Sequence, residues 1–155
     1  MDAVERNGII TAMYGFAFSS TIDRFRSLHS EIIEEFQCIE YDMRRIYSSM
    51  IDEDYDEAMD EMSDKNWGVI LNRLKKLDNS DGAPYFSSEE YILLDEIRSL
   101  RNYWCHQCYL DFVYIQDGWK REEKLQKLLR RLENELNRVR RLQERVQTSF
   151  LRDFV

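Results

Sequence analysis

Proline occurs once in 155 residues and glycine five times, well below ordinary shares of about 5% and about 7%. So few chain-breakers exclude a fold of many short strands and tight turns and leave long elements. No apolar run approaches the ~20 residues that cross a bilayer, and the N-terminus has no basic stretch followed by a continuous apolar one. No membrane association is expected, and the chain reads as cytoplasmic. Cysteine is scarce and odd in number, at Cys38, Cys105 and Cys108. That count argues against a secreted disulfide framework and for reduced thiols.

What is abundant is apolar and charged side chains together. Apolar residues make up 43% and charged residues 34%, enough apolar material to build a core and so to exclude wholesale disorder. The length suits one domain over residues 1–155. The expected fold class is all-α, an up-down bundle of four to five helices with a long C-terminal helix. The net charge of −8 hides a split: residues 119–155 carry 11 basic and 6 acidic groups, and residues 1–118 carry 11 basic and 24 acidic. An acidic total therefore does not exclude nucleic acid, because attraction depends on potential within a Debye length of ~8 to 10 Å.

The apolar periodicity divides the chain. Val4, Ile9, Ile10, Met13, Phe16 and Phe18 outline a short helix weakened by Gly8 and Gly15. From Thr21, placed to cap, Ile22, Phe25, Leu28, Ile32, Phe36, Ile39, Met43, Ile46 and Met50 recur every three or four residues, predicting a long amphipathic helix. An acidic run from Asp52 to Asp64 lacks the central glycine of a calcium loop and reads as a solvated face or loop. Asp64 is placed to cap a helix carrying Trp67, Ile70, Leu71, Leu74 and Leu77 and ending near Asp78. Residues 79–84 form the clearest loop. Ser87 and Glu90 fit a capping box opening a helix to about Gln116. After Gly118, a basic amphipathic helix over about 119–152 places Leu125, Leu128, Leu132, Leu136, Val139, Leu142, Val146 and Phe150 on one face. It reads as a bundle helix, with a coiled-coil arm as the alternative.

On the helix opened at Ser87, 100° per residue puts Leu93, Ile97, Leu100 and Trp104 within about 40° of the direction opposite Asn102. Asp95, Arg98, Asn102, His106 and Tyr109 form an outward polar stripe, with Arg101 flanking it. Arginine offers a charged fork to phosphate oxygens, and histidine titrates near neutral pH and moves protons. A solvated helix face also accommodates such residues, and periodicity alone does not choose. Cys105 and Cys108 with His106 make at most three metal ligands, and His106 points about 100° away from Cys105, so no metal is expected. Cys108 is expected to pack at the core edge. His29 reads as an exposed helix residue.

The string Arg101-Asn102-Tyr103-Trp104-Cys105-His106 resembles the Arg-Asn-x-x-x-His signature of HEPN domains, helical bundles that include many metal-independent ribonucleases of toxin and antiphage systems. Trp67-Gly68-Val69-Ile70-Leu71 is similar to the glycine-containing helix start upstream in that family, so the likeness covers about residues 21–117. An Arg and a His four to six residues apart arise by chance about 0.6 times in a chain with 16 Arg and 2 His, and Arg24 with His29 is another such pair. Asn102 directly after Arg101 separates the two, since Phe25 follows Arg24. HEPN toxins paired with a nucleotidyltransferase antitoxin often carry Tyr two residues after the His, where Cys108 stands here, and Tyr109 comes one later.

RNA cleaves itself when its 2′-hydroxyl attacks the adjacent phosphate, given a base for that proton and an acid for the leaving oxygen. The motif supplies His106 alone, so a two-fold homodimer sharing a cleft supplies both groups economically, as the resemblance also implies. Arg101 is expected to stabilise the phosphorane and Asn102 to position the scissile group or the imidazole. Arg98, Tyr103 and Tyr109 are candidate substrate-binding residues, the tyrosines by stacking on bases. No cofactor is expected. The partners expected are single-stranded or looped RNA and an antitoxin or regulatory protein. Two other readings stand beside this endoribonuclease: a non-catalytic HEPN module that binds nucleotide or RNA or dimerises, and a helical coiled-coil interaction protein.

Overall fold

A computed structural model describes the backbone of residues 3–80 and 82–155 and the side chains of residues 20–80 and 82–155. It is all-helical, with no strand among the described residues. In order come α1 (Ala3–Met50), α2 (Tyr55–Met62), α3 (Trp67–Asp78), α4 (Ser88–His106), a 3₁₀ turn (Cys108–Asp111) and α5 (Gly118–Phe154). The apolar set from Val4 to Phe18 expected for a short first helix lies outside the described side chains.

α1 continues through Thr21, which therefore caps nothing. Its hydroxyl instead donates to Glu122 Oε1 at 2.8 Å. Ile22, Phe25, Ile32, Phe36, Ile39, Met43 and Ile46 are buried, and so are Leu125, Leu128, Leu132, Leu136, Val139, Leu142, Val146 and Phe150 of α5. Steps of three and four residues in both helices give each a continuous apolar seam. Polar contacts flanking the seams join residues at nearly constant sequence separation: 101 for Thr21 with Glu122, 109 for Arg24 with Glu133, and 105 for Arg140 with Glu35. Only a parallel, in-register pair gives that pattern. The seam of α5 is thus taken up by α1, which makes it a bundle helix and leaves no free coiled-coil arm.

The remaining elements complete an up-down course. α4 runs against α5, since the separation of joined residues grows from 31 for Trp104 with Glu135 to 42 for Glu96 with Arg138. α3 lies against α4, with Gly68 beside Arg98 and Asp78 accepting from the Tyr91 hydroxyl at 2.6 Å. The tail's basic surplus is spent on these neighbours: Arg140 pairs with Glu31 and Glu35, Arg138 with Glu96, and Arg145 with Glu90.

The turns follow local chemistry. Asp54 caps α2 and places most of the acidic run on a solvated helix, with Ala58 and Met62 buried. α3 is capped by Asn66, whose Oδ1 accepts from the Val69 amide at 3.1 Å. Asp64, expected in that role, pairs with Lys65 instead. Gly82, at φ 75°, supplies the left-handed residue of the following loop. Asp78, with no exposed surface, accepts from the amides of Tyr85 and Phe86 and from Tyr91, tying that loop to the start of α4. The Ser87–Glu90 capping box forms as expected.

α4 ends at His106, ten residues short of the expected end near Gln116. Nε2–H of His29 donates to the Trp104 carbonyl at 2.8 Å, and the Cys108 thiol donates to the same oxygen at 3.2 Å. A side chain entering the helical ladder this way breaks its regular pairing. The backbone then tightens to three-residue bonds, such as Leu110 N–H to Gln107 and Phe112 N–H to Tyr109.

Candidate active site

The last three turns of α4 carry the expected stripe, and α3 supplies its opposing wall. Asn66, Trp67, Gly68, Arg98, Arg101 and Asn102 line a cavity of about 270 Å³. α3 begins there because Trp67 is buried against Phe36, with ring centroids 6.4 Å apart, while the Lys65 carbonyl accepts from Arg44 at 3.0 Å. Ile97 and Trp104 are buried beneath the stripe, with Leu93 and Leu100 packed at the core edge, so the helical phase assigned to α4 holds.

Arg98 pairs with Asp95 at 3.0 Å. A Cβ on Gly68 would sit 3.0 Å from Arg98 Nη1, so the absence of a side chain there lets the guanidinium lie close to the start of α3. Arg101 reaches Asn102 Oδ1 at 3.4 Å and stands 4.0 Å from Glu40 Oε2. These long contacts leave its fork largely uncommitted. Glu40 is itself bound by Arg44 at 2.7 Å. Cys105, one turn beyond Arg101, has its thiol pushed up by partial burial, against the downward pull of Arg101.

The structure divides the residues expected to act together. Arg98, Arg101 and Asn102 share the cavity, whereas His106 lies outside it, exposed at the end of α4. Trp104, two residues before it, faces the core, and His106 is exposed to solvent. Tyr103 is withdrawn from the surface: its hydroxyl donates to Asp111 at 2.7 Å, and the Arg131 guanidinium covers its ring at 4.0 Å. Burial, then the Asp111 bond, pushes that phenol well above the ordinary tyrosine range. Tyr109 is off the stripe because α4 has already ended, and its ring meets Phe25 at 5.5 Å and His29 at 5.1 Å. Both rings are half-buried and partly engaged by these neighbours.

His29 is likewise corrected. It is half-buried, stacked on Phe25 at 6.0 Å and bonded to Trp104. Cys108 is buried as expected, and burial pushes its thiol up to about 11. Among the described residues, no group of three or more His, Cys, Asp or Glu is placed to hold a metal ion, and no helix is long and apolar enough to cross a membrane. The resemblance had singled out Trp67 and Gly68, but the cavity-lining role of Asn66 was missed. Its type, a good helix cap just before an apolar periodic segment, was the available signal.

No protein-family model, curated protein or solved structure matches the chain.

Proposed function

We propose that the chain is a HEPN-type, metal-independent endoribonuclease of a toxin or antiphage system, acting in the cytoplasm as a homodimer on single-stranded or looped RNA. The observation that carries this reading is the Arg-Asn-x-x-x-His string on the final turns of α4. Arg101 and Asn102 edge a cavity, and His106 stands exposed just beyond it. A second subunit related by a two-fold axis brings a second His106 to the same linkage, which one subunit does not supply because His29 is committed to Trp104.

One imidazole takes the proton of the 2′-hydroxyl as that oxygen bonds to phosphorus. The other, protonated, gives its proton to the 5′-oxygen as the P–O5′ bond breaks. The products are a 2′,3′-cyclic phosphate and a 5′-hydroxyl. Arg101 answers the charge that builds on the phosphorane, and Asn102 holds the scissile group or the ring. Neither metal nor cofactor enters this scheme.

The deciding experiment incubates purified wild type and His106→Ala with a mixed RNA pool and reads the new ends by mass spectrometry. Cyclic phosphate ends from wild type alone support the scheme. Equal cleavage by both proteins sinks it. A second reading, a non-catalytic HEPN dimerisation or nucleotide-binding module, is favoured by the placement of His106 outside the cavity, and persistent dimers with no turnover on any RNA would select it.

A further inference from the structure

The bases of α5 are sorted onto one side of the helix. Lys124, Arg131, Arg138, Arg145 and Arg152 follow one another at seven-residue intervals. Lys120, Lys127 and Arg141 form an adjoining row of the same period, whose other two positions within the helix are Asn134 and Thr148. The two rows thus hold eight of the 11 basic groups of residues 119–155 and none of the 6 acidic ones. A helix face that is only solvated alternates its charges instead. Taken together the rows advance by four and three residues, as the apolar seam does, so they keep one direction relative to α1 over about 48 Å. Arg131 is half-buried and the other seven bases are exposed. Lys120, Lys124 and Arg141 form no ion pair with a described residue. Lys127, Arg138 and Arg145 do meet Glu123, Glu96 and Glu90, yet their side chains stay 61%, 48% and 61% exposed. Pairs so open to water contribute little, and a further anion has access to the same cations. One row also touches the motif, because the Arg131 guanidinium lies 4.0 Å over the ring of Tyr103, inside the Arg-Asn-x-x-x-His string.

We propose that the two basic rows of α5 bind the sugar–phosphate backbone of single-stranded RNA, which lies along α5 and passes the end of α4 where His106 is exposed. A line of charge suits a linear polyanion. Steps of three and four residues cover about 4.5 and 6 Å along the axis, and phosphates on one strand stand about 3.4 Å apart when stacked and farther when extended. A lipid surface fits less well, since it takes up apolar side chains set among bases, and the rows hold none within the helix. An acidic protein surface gives no reason for a row to reach the motif, whereas a strand bound for cleavage has to meet both. The strand is named as RNA on the strength of the ribonuclease reading. The rows themselves read charge and not sequence.

The test is fluorescence anisotropy of a labelled oligouridylate of about 15 nucleotides, long enough to follow both rows, titrated with the full chain at several salt concentrations. All proteins carry His106→Ala, so that the probe is not consumed. Each phosphate neutralised on a single strand contributes about −0.7 to the slope of log affinity against log salt. Lys120→Gln, Lys124→Gln and Arg141→Gln combined should therefore flatten that slope by about two and weaken binding about tenfold at low salt. These three bases hold no described acid, so the bundle should keep its wild-type circular dichroism. Arg26→Gln, Lys76→Gln and Arg130→Gln combined remove the same charge from exposed positions off the rows and should weaken binding far less. Equal weakening by the two triple variants, or an affinity that ignores salt, would overturn the surface. Tighter binding of a polyglutamate peptide of the same length would assign the rows to an acidic protein and overturn it too. So would co-sedimentation with phosphatidylserine vesicles by a chain that does not bind the oligouridylate. RNA cutting by chains with His106 intact is read separately. Row-dependent binding by a chain that cuts no RNA keeps the surface and ends the ribonuclease reading. Cutting at one rate with and without the row substitutions, together with equal affinity, gives the reverse.

Discussion

The α1–α5 stem and the α3–α4 wall differ in how closely their charged groups are paired. In the stem, apolar seams meet along their length, Arg140 of α5 finds Glu31 and Glu35 on α1, and Arg24 of α1 finds Glu133 on α5. At the wall, buried donors on Trp67 and Arg98 have no acceptor, and Arg101 holds its nearest acid at 4.0 Å. A region whose polar groups are paired contributes stability. Each region also keeps buried polar atoms without a partner, Ser48 Oγ and Glu122 Oε2 in the stem and the Trp67 indole nitrogen and Arg98 Nε at the wall, and each such group costs about 1 to 3 kcal/mol.

Substitutions that act on both regions test this difference, beginning with the largest effect. Ile39, with no exposed surface in the stem, becomes a buried unpaired charge in Ile39→Asp. The loss is expected to exceed about 4 kcal/mol and to unfold the chain. Circular dichroism at room temperature checks this, and a cooperative melt close to wild type would show that the seam is not the core. Asp78→Ala comes next. It leaves the amides of Tyr85 and Phe86 and the Tyr91 hydroxyl without their acceptor. The expected loss in urea denaturation is about 3 kcal/mol. A loss under about 1 kcal/mol would mean that the loop before α4 is held by something else.

The same division governs what the sequence made legible. The seams are local repeats, so their residues, the helical phase of α4 and the Ser87–Glu90 box could be read without knowing what lies opposite. The end of α4 could not. Trp104, Cys108 and Phe112 keep four-residue spacing, so the pattern continues while the helix stops, and the Trp104 carbonyl is taken by His29, 75 residues away. Tyr109 lies off the stripe because the helix has ended, and Tyr103 has its hydroxyl held by Asp111 and one face of its ring covered by Arg131. Asp64 and Asn66 are both good helix caps. The choice falls to Asn66 because Trp67, directly after it, is buried on Phe36. Arg98 and Asn102 share a helix face with Arg101 flanking it, which is legible locally, whereas their meeting with the start of α3 depends on tertiary contact.

Smaller effects sharpen the contrast. Asp42 lies in the stem, with its side chain 7% exposed and Arg45 at 3.3 Å, yet burial raises its carboxyl above the ordinary aspartate value despite that arginine. A carboxyl raised on folding binds its proton more tightly in the native state, so its ionised form detracts from stability once the pH exceeds the folded value. Asp42→Asn should therefore stabilise the chain at pH 7, by less than about 1 kcal/mol. That gain should shrink to nothing as the pH falls through the ordinary aspartate range. Thermal melts of both proteins from pH 7 down to pH 3.5 measure it. Destabilisation at pH 7 would mean that the Arg45 pair outweighs burial.

Gly68→Ala has the smallest expected effect on stability and separates the two regions most directly. Alanine in the first turn of α3 gains helix propensity and narrows the unfolded ensemble, together worth about 0.5 kcal/mol. The new Cβ meets Arg98 Nη1, the far end of a flexible side chain, at 3.0 Å, so the guanidinium can swing aside at little cost. The variant should therefore melt at or slightly above the wild-type temperature. If Arg98 is instead needed in place to hold α3 against α4, the variant melts below wild type, and calorimetric melting of both proteins distinguishes the cases.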